Sequence, residues 1–403
     1  MLGMKFGGLG FRKAELLAAP AHLASLIEAR PCVEYLVHLA AEAGIVLPTA
    51  MDVFDSCITR ATEECTRRLS PEAAQCVPLL CDDAAVRAGE NFQKILDGSE
   101  QVPEARSQPE SDRHDPVLAA PERDDPEIVR ALKPIRLQHD LSVLFDKEGS
   151  SNLYAHFEAV PGGEQDCTRL LELSDDTVSS KWLWTVDPHS PLTLSPEHFI
   201  AAVRLRLGAS FTSKPVQCRI CNKVLDINGM HALCCAPGES TRGHNAVRDE
   251  FFVLARIADT TAEREVLGLL DTAPGLRPAD ILTCSVLPSL SSALDIGIAA
   301  PHAAHAGSDC CETMRWRKVR NYAEHASALL EQGIQYTPIV WSCWGREHAD
   351  TTRVLKRIAR VVARRRGGSH DVVLSSLRDA IGSILARRAA AMLGSCTPAP
   401  EPR

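Results

Sequence analysis

The sequence predicts a protein of the α+β or α/β class, with a helical N-terminal half, a metal-binding knuckle, a core of alternating helices and strands, and a basic helical tail. Three observations lead to this prediction. Alanine, leucine and arginine are abundant whereas aromatic residues make up only 5% of the chain, a composition that favours helices. Cysteines with metal-ligand spacing follow at 218–235. Short apolar runs then alternate with helical patterns up to residue 341.

Length and composition indicate a globular intracellular protein. A chain of 403 residues with 45% hydrophobic content is long enough for two or three domains with cores of ordinary size. The beginning of the sequence lacks the apolar run of a signal peptide, and no apolar stretch is long enough to span a bilayer. The fifteen cysteines favour reduced thiols plus one metal cluster. We therefore expect a soluble nuclear or cytoplasmic protein that is not secreted.

Charge is unevenly distributed along the chain. The formal net charge of −8 argues against a protein that coats nucleic acid along its whole length. Residues 314–403, however, contain 16 lysines and arginines against 7 aspartates and glutamates, while residues 1–313 contain 28 against 45. The C-terminal end is therefore the part that we expect to meet a polyanion.

Composition also predicts the domain organisation. A helical region over residues 1–95 precedes an acidic, proline-rich linker over 96–127, which buries too little apolar surface to become ordered. The remaining predicted segments are a second helical region at 128–212, a zinc knuckle at 213–240, a sheet-containing core at 241–348 and basic C-terminal helices at 349–403.

Three cysteines and one histidine have the spacing of a structural zinc site. Cys218 and Cys221 are separated by two residues, and His231 with Cys235 completes four ligands for a tetrahedral ion. Cys234 is an alternative to Cys235 as the fourth ligand. Because protein atoms fill all four positions, the expected role of the zinc is to hold a small subdomain together. The alternative is a group of buried thiols in a cysteine-rich chain.

The segment after the knuckle alternates between helical and strand patterns. Helices are predicted over 245–258 and 314–332. The predicted strands are 266–270, 277–282, 292–298 and 336–341. The resulting order is a helix, three strands, a helix and a fourth strand.

Two aspartates are predicted on neighbouring strands of this core. Asp280 belongs to the second strand, and Asp295 points away from its apolar neighbours in the third. Two such carboxylates can bind Mg²⁺ or Mn²⁺, which polarises a phosphodiester and lowers the pKa of an attacking water. Lys318 and Tyr322 share a flank of the following helix, where the lysine can stabilise developing negative charge. Alternatively, Asp280 is a turn residue and Asp295 an ion-paired strand residue.

Together these motifs resemble the restriction-like endonuclease domain that follows the reverse transcriptase in site-specific non-LTR retrotransposons, a branch of the PD-(D/E)XK nucleases. That family has a CCHC knuckle, an Arg-His-Asn element, a Lys/Arg-Pro-Asp motif, a second acid and a Lys-x3-Tyr pair. The matching residues here are the four knuckle ligands, His244 with Asn245, Arg277 with Asp280, Asp295, and Lys318 with Tyr322. The likeness is specific from Cys218 to about Gly345, and Gly7–Arg12 is also similar to the start of the family's thumb region.

The resemblance implies a restriction-endonuclease-like αβββαβ core that nicks DNA by metal-dependent phosphodiester hydrolysis. The residues that it assigns to catalysis are Asp280, Asp295, Lys318 and Tyr322, with the two aspartates as magnesium or manganese ligands. The residues that it assigns to nucleic-acid contact are His244, Asn245 and Arg277. DNA is the expected partner, and RNA stays open as a second.

The sequence departs from the family pattern at three positions. Ala279 separates the proline from Asp280, Gly243 splits the Arg-His-Asn element, and Gly297 stands where the simplest Asp-x-Lys motif has its lysine. In the resembling branch that lysine moves to the helix, so Lys318 can take its role. No Tyr-x-Asp-Asp motif of a polymerase occurs in the sequence. A catalytically decayed, zinc-stabilised nucleic-acid-binding remnant is therefore the alternative hypothesis, and a helical interaction protein is a third.

Basic residues recur on one side of a predicted C-terminal helix. They are Arg353, Arg357, Arg360 and Arg364, opposite the apolar Leu355, Ile358 and Val362. Such a stripe binds phosphates without regard to sequence, although a solvated helix face explains it equally well.

Three further residues have competing interpretations. Glu250 or Glu265 is a candidate third metal ligand, and each is alternatively an ordinary surface acid. Trp316 is expected to pack in the core or at its rim rather than to stack on bases.

Overall fold

The computed structural model describes residues 14–100, 132, 134–174, 178–185, 187, 189–271 and 273–398, with the side chains of residues 15 and 98–100 left out. The chain divides into two compact units, of which one ends at Ser151 and the other begins at Asn152. Helices together with a small mixed sheet confirm the α+β class. None of the helices in these ranges is long and apolar enough to cross a membrane.

The first unit is helical. Its helices are α1 (Ala14–Glu42), α2 (Ala50–Thr66), α3 (Pro71–Ala74), α4 (Cys76–Glu100) and the first part of α5 (Leu137–Ala159). Leu23, Cys65, Val77 and Leu141 are buried in its core. Helix α4 continues to Glu100, into the first residues of the predicted linker. Most of that segment, like Gly7–Arg12, lies outside the described residues.

The second unit contains helices, two short 3-10 turns and all six strands of the described chain. Its first elements are α6 (Glu164–Ser174), a 3-10 turn (Lys181–Leu183), α7 (Pro196–Leu207), β1 (Val216–Gln217), β2 (Val224–Leu225) and α8 (Ala232–Cys235). The next are α9 (Pro237–Ala258), β3 (Glu263–Val266), β4 (Ala279–Thr283), β5 (Ser291–Ala299) and α10 (Cys310–Asn321). The last are a 3-10 turn (Ala323–His325), α11 (Ala326–Glu331), β6 (Ile334–Ser342), α12 (Ala349–Arg366) and α13 (His370–Cys396).

Four strands form the main sheet in the order β3–β4–β5–β6. The first two pairings are antiparallel, and β5 runs parallel to β6 because α10 and α11 connect them. Apolar residues of α9, α12 and α13 cover one face, where Phe251, Leu294, Ile339 and Leu355 are fully buried. Helices α10 and α11 cover the other face, where Leu329 is buried. The sheet is therefore a central layer between two layers of helices.

Two predicted elements differ from the structure. The apolar run at 266–270 is not a strand: β3 ends at Val266, Gly268 has a left-handed φ of 73°, and Leu270 packs into the core from a loop. The predicted helix over 314–332 is interrupted, because α10 ends at Asn321 and a 3-10 turn precedes α11. Tyr322 consequently lies at the end of α10 instead of inside a helix.

Candidate functional site

The cysteine and histidine residues of the predicted knuckle lie together. Cys218 and Cys221 belong to the turn between β1 and β2, while His231 and Cys235 flank α8. Sγ of Cys218 is 3.7 Å from Sγ of Cys235, and Sγ of Cys221 is 3.2 Å from Nε2 of His231. All four ligand atoms lie within 4.8 Å of one another, whereas Cys234 is exposed and outside the set. The geometry therefore selects Cys235 as the fourth member.

Local hydrogen bonds preorganise this cluster. The carboxylate of Asp226 accepts from the backbone N–H groups of Asn228, Met230 and His231 at 3.1, 2.9 and 2.7 Å. Burial disfavours the Cys218 thiolate, but the N–H groups of Cys221 and Ile220 outweigh it and lower the pKa of this thiol to about 6. A thiolate is the form that binds metal, so three sulfurs and one imidazole fit a tetrahedral zinc ion.

The two predicted carboxylates lie on the same face of the sheet. Ile281 of β4 pairs with Leu294 of β5, and continuing this antiparallel register by one residue sets Asp280 opposite Asp295. Leu294 and Ile296 point into the apolar core, so Asp295 points to the face that α10 covers. Two like charges placed opposite each other on paired strands repel, and this repulsion requires cations nearby.

Lys318 supplies the cation for Asp295. Its Nζ lies 2.6 Å from Oδ1 of Asp295, and the hydroxyl of Tyr336 donates to Oδ2 of the same carboxylate. Side-chain exposure is 14% for Asp295 and 16% for Lys318, so this ion pair is largely shielded from water. Burial raises the pKa of Asp295 above its ordinary value, although Lys318 and Tyr336 act in the opposite direction.

His244 supplies the corresponding cation for Asp280. Its Nε2 lies 3.2 Å from Oδ2 of Asp280 and 3.1 Å from the carbonyl oxygen of Ile296, while its Nδ1 lies 3.3 Å from Oδ1 of Asn245. The bond to Asp280 raises the pKa of His244 despite burial. For Asp280, burial is outweighed by His244 and by the Ile296 N–H, which donates at 2.7 Å, so the pKa of Asp280 is lowered.

Gly297 provides the space through which Lys318 reaches Asp295. A Cβ atom at position 297 would lie 2.7 Å from Cε of Lys318 and 3.2 Å from Cγ of Met314, closer than side chains pack. The lysine stem therefore crosses β5 directly above this glycine. The position at which the simplest nuclease motif has its lysine is thus filled by a lysine from α10.

Tyr322 and Arg277 are near the carboxylates without touching them. The hydroxyl of Tyr322 donates to the backbone carbonyl of Arg277 at 2.9 Å, and its ring centroid is 4.8 Å from that of Tyr336. Burial and the two aspartates raise the pKa of Tyr322. The guanidinium of Arg277 lies 3.6 Å from Glu265. Tyr322 thus supports Tyr336, the residue that contacts Asp295.

The donor set of the carboxylate pair fits a hard divalent cation. Mg²⁺ typically binds one or two protein carboxylates and keeps several waters. Among the described residues, Oδ1 of Asp280 has no hydrogen-bond partner, and no third acid, histidine or cysteine forms a set of ligand atoms within 4.8 Å with both aspartates. Of the candidate third ligands, Glu265 instead pairs with Arg248 and Arg277.

The predicted basic stripe lies on the exposed side of α12. Leu355, Ile358 and Val362 are buried as predicted, while the four arginines of the stripe (Arg353, Arg357, Arg360 and Arg364) are exposed. Two cavities of about 590 and 570 Å³ both include Arg357 and Arg360 in their walls. The second cavity also reaches Tyr336, so the basic surface leads towards the carboxylate pair.

Two residues have positions that the sequence analysis did not anticipate. Tyr336 was predicted only as part of a strand, although the period of two places it on the same face of β6 as Pro338, which pairs with Asp295. Trp316 is 56% exposed on α10, so of the two expected positions, the core and its rim, the core is excluded. Its neighbours in the sequence, Arg315 and Arg317, are charged, and this pattern could have indicated an exposed position.

Comparison with known proteins assigns the chain to no family. No family model matches this sequence, and no curated protein matches it either.

Proposed function

We propose that the second unit is a metal-dependent DNA endonuclease of the PD-(D/E)XK type, which nicks target DNA by phosphodiester hydrolysis. The observation that carries this proposal is the pair of carboxylates, Asp280 and Asp295, on one face of paired strands with the ammonium of Lys318 on Asp295. The order α9–β3–β4–β5–α10–β6, with β5 parallel to β6, agrees with the restriction-like core that the motifs imply.

Each residue of the pair has a role that follows from its contacts. A bound Mg²⁺ or Mn²⁺ would polarise the scissile phosphodiester and acidify an attacking water. Asp280, kept ionised by His244, and Asp295 would hold this ion. Lys318 would neutralise charge that develops on the phosphate oxygens, because its ammonium is already oriented by Asp295. Tyr336 fixes the Asp295 carboxylate, and Tyr322 packs on Tyr336.

The knuckle is proposed to bind a structural zinc ion. Its four ligands join the β1–β2 turn to α8, which immediately precedes α9 and its residue His244. All coordination positions would be filled by protein, so this ion would take no part in hydrolysis. Its proposed contribution is to fix the start of the catalytic core.

The basic stripe on α12 is proposed to bind the DNA backbone, with RNA as a second ligand of the same chemistry. Arg360 lines both cavities, of which the second extends to Tyr336, whereas Arg364 lines the first cavity only. Phosphate contacts of this kind orient a duplex and carry no sequence information themselves.

The second candidate function is a zinc-stabilised nucleic-acid-binding protein without turnover. The observation that favours it is that each carboxylate is neutralised by a protein cation, Asp280 by His244 and Asp295 by Lys318. A fold that had lost its metal could be stabilised in this way. Binding would then persist through α12 while hydrolysis would be absent.

Nicking of supercoiled plasmid DNA by the purified full chain, with Mg²⁺ or Mn²⁺ added, tests the two functions. We expect nicking that Asp295→Asn reduces at least 100-fold, because the isosteric amide removes a metal ligand. The matched control is Asp371→Asn, at a carboxylate that is 80% exposed in the first turn of α13. Equal nicking by wild type and Asp295→Asn would refute the site. Retention of DNA binding without nicking by wild type would establish the second function.

A further inference from the structure

A third cavity lies on the Lys318 side of the sheet, and the proposed hydrolysis does not use it. It has a volume of about 460 Å³, within the range of about 300–1,000 Å³ that small-molecule sites occupy. The end of β5, the loop after it and α10 enclose it. We call it the Trp316 pocket.

The walls of the Trp316 pocket suit a flat aromatic ligand. Trp316 is 56% exposed. The guanidinium of Arg315, which lines the second cavity and not this one, lies 5.1 Å from the centre of the Trp316 ring. Four alanines, Ala299, Ala300, Ala303 and Ala306, provide much of the remaining wall. Small side chains in the same cavity as an exposed indole leave room for a flat ring to stack on it.

The charge of the Trp316 pocket suits an anion attached to such a ring. His305, Arg317 and Arg320 contribute to its walls, and none of the described residues that line it is acidic. Among the described residues the guanidinium of Arg320 forms no ion pair, and that of Arg317 faces His305 at 2.9 Å. Two acids at the start of α10 are engaged elsewhere, Asp309 with Arg346 and Glu312 with His348.

The Trp316 pocket lies beside the carboxylate pair. Ala299, in its wall, is four residues beyond Asp295 on the same face of β5, which is about 13 Å along the strand. Met314, also in its wall, is one helical turn from Lys318, and both side chains approach Gly297. One nucleic-acid strand can therefore reach both places.

We propose that the Trp316 pocket binds an unpaired nucleobase of the DNA strand whose phosphate lies at Asp280 and Asp295. The base stacks on Trp316, and its neighbouring phosphates contact Arg317 and Arg320. This inference rests on the proposed function and specifies its substrate, namely DNA with an unpaired segment next to the cleavage position. Stacking of a base on one aromatic side chain contributes roughly 5- to 150-fold in affinity.

Binding without cleavage tests the pocket directly. The probe is a fluorescein-labelled oligothymidine of 12 nucleotides, compared with a blunt duplex of 12 base pairs, without added divalent metal. We expect Trp316→Ala to weaken binding of the oligothymidine by roughly 5- to 150-fold and of the duplex by less than twofold. Trp316→Phe should retain most of the affinity. The matched control is Trp184→Ala, at another exposed tryptophan (67%).

Three results would overturn the pocket. They are an unchanged affinity of Trp316→Ala for oligothymidine, an equal loss for the duplex, and an equal loss in Trp184→Ala. If the first result is accompanied by a change in the sedimentation of Trp316→Ala, the pocket covers a second copy of the chain instead of a base.

The pocket and the proposed nuclease fail separately. If wild type binds oligothymidine through Trp316 but does not nick DNA, the pocket stands and the nuclease fails. If wild type nicks, and Trp316→Ala nicks a duplex with an unpaired bubble and a fully paired duplex in the same ratio as wild type, the nuclease stands and the pocket fails.

Discussion

Nζ of Lys318 lies 2.6 Å from Oδ1 of Asp295, although the lysine belongs to α10 and the aspartate to β5. The stem of the lysine crosses the strand at Gly297, where any side chain would collide with it. The ammonium group of Lys318 therefore reaches Asp295 of β5 from α10, the helix that covers this face of the sheet. Helix and strand depend on each other for this geometry, and the dependence can be tested by moving the lysine.

Relocating the lysine tests whether its charge acts from either position. Lys318→Met is expected to lower the nicking rate by roughly 100- to 1,000-fold, the cost of losing one donor to a developing negative charge. The double substitution Gly297→Lys with Lys318→Ala should recover part of the rate, because removing the lysine stem frees the space above β5. Initial rates on supercoiled plasmid measure both variants. If the double variant is as slow as Lys318→Met, a lysine on β5 cannot replace the lysine on α10, and the prediction is wrong.

The zinc content of cysteine variants tests the knuckle. Purified wild type should contain one zinc per chain, and Cys221→Ser should contain almost none, because loss of one of four ligands opens the tetrahedron. Cys234→Ser is the matched control, since its thiol is exposed and outside the ligand set. Elemental analysis after gel filtration measures the content. Equal zinc loss in both variants would mean that the ligand set is different.

The salt dependence of duplex binding tests the basic stripe. Arg360→Gln and Arg364→Gln should each reduce the slope of log K against log salt by about 0.9, because each removes one phosphate contact. The effect should be the same for unrelated DNA sequences. Arg67→Gln, at an exposed arginine at the end of α2, is the control. Unchanged slopes in both stripe variants would leave a solvated helix face as the explanation.

Acid sensitivity should depend on Asp259, which ends α9. Burial disfavours its charge, but hydrogen bonds from Thr261, Cys284 and Thr283 outweigh burial and lower its pKa. Because the folded-state pKa is lowered, the stabilisation is complete above the unfolded value of about 3.9 and is lost as pH falls through the folded value. Asp259→Asn should cost about 1–3 kcal/mol at pH 7, since an amide offers only one acceptor oxygen.

Urea unfolding at several pH values measures this difference. The difference in unfolding free energy between wild type and Asp259→Asn should shrink below about pH 4, because the Asp259 carboxyl then becomes protonated, first in the unfolded chain and at lower pH in the folded one. Asp371→Asn, at an exposed carboxylate, should show no comparable gap. A gap that stays constant down to pH 2 would assign the effect to packing instead of charge.

The buried ion pair between Arg346 and Glu172 should make a large contribution to the free energy of unfolding of the second unit. The guanidinium lies 2.9 Å from Glu172 and 2.9 Å from Asp309, and the Glu172 side chain is only 8% exposed. Arg346→Met leaves that carboxylate buried without its cation and should cost about 3–5 kcal/mol. Arg242→Met, which breaks an exposed pair with Glu239, should cost at most about 1 kcal/mol.

Tryptophan fluorescence during urea unfolding is the appropriate measurement for Arg346→Met. All five tryptophans of the chain follow Ser151, so their signal reports on the second unit alone. Similar midpoints for Arg346→Met and Arg242→Met would contradict a structural role for the buried pair.

Local patterns predicted much of the sheet but only part of the face that bears Asp280 and Asp295. The period of two in β5 correctly separated Asp295 from Leu294 and Ile296, because alternation is a property of the strand itself. The apolar run at 266–270 was misinterpreted because a loop that buries only Leu270 and a buried strand have the same apolar composition. Local sequence contains no signal that distinguishes them apart from Gly268, whose left-handed backbone ends the pattern.

The features of the candidate site that the sequence did not predict are contacts between residues that are distant in the sequence. The sequence predicts His244 as a nucleic-acid contact, which stays a prediction, but it does not indicate the contact that the structure shows with Asp280, 36 residues later. That proximity depends on how α9 packs across β4 and β5, which no local pattern specifies. The choice of Cys235 over Cys234 has the same origin, since adjacent residues at the end of α8 point in different directions.

Helix α13 connects two cores of the second unit and therefore affects how this unit unfolds. Its 27 residues extend for about 40 Å, from Leu377 and Ile381 in the core beneath the sheet to Leu393 and Cys396 in the core beneath the knuckle. The backbone N–H of Arg219 donates to the carbonyl of Cys396, and Leu393 packs against Gly229. One helix thus packs against both the knuckle and the sheet. Proteolytic trimming of the last turn of α13 would remove its contacts with the knuckle while leaving those of Leu377 and Ile381 in place.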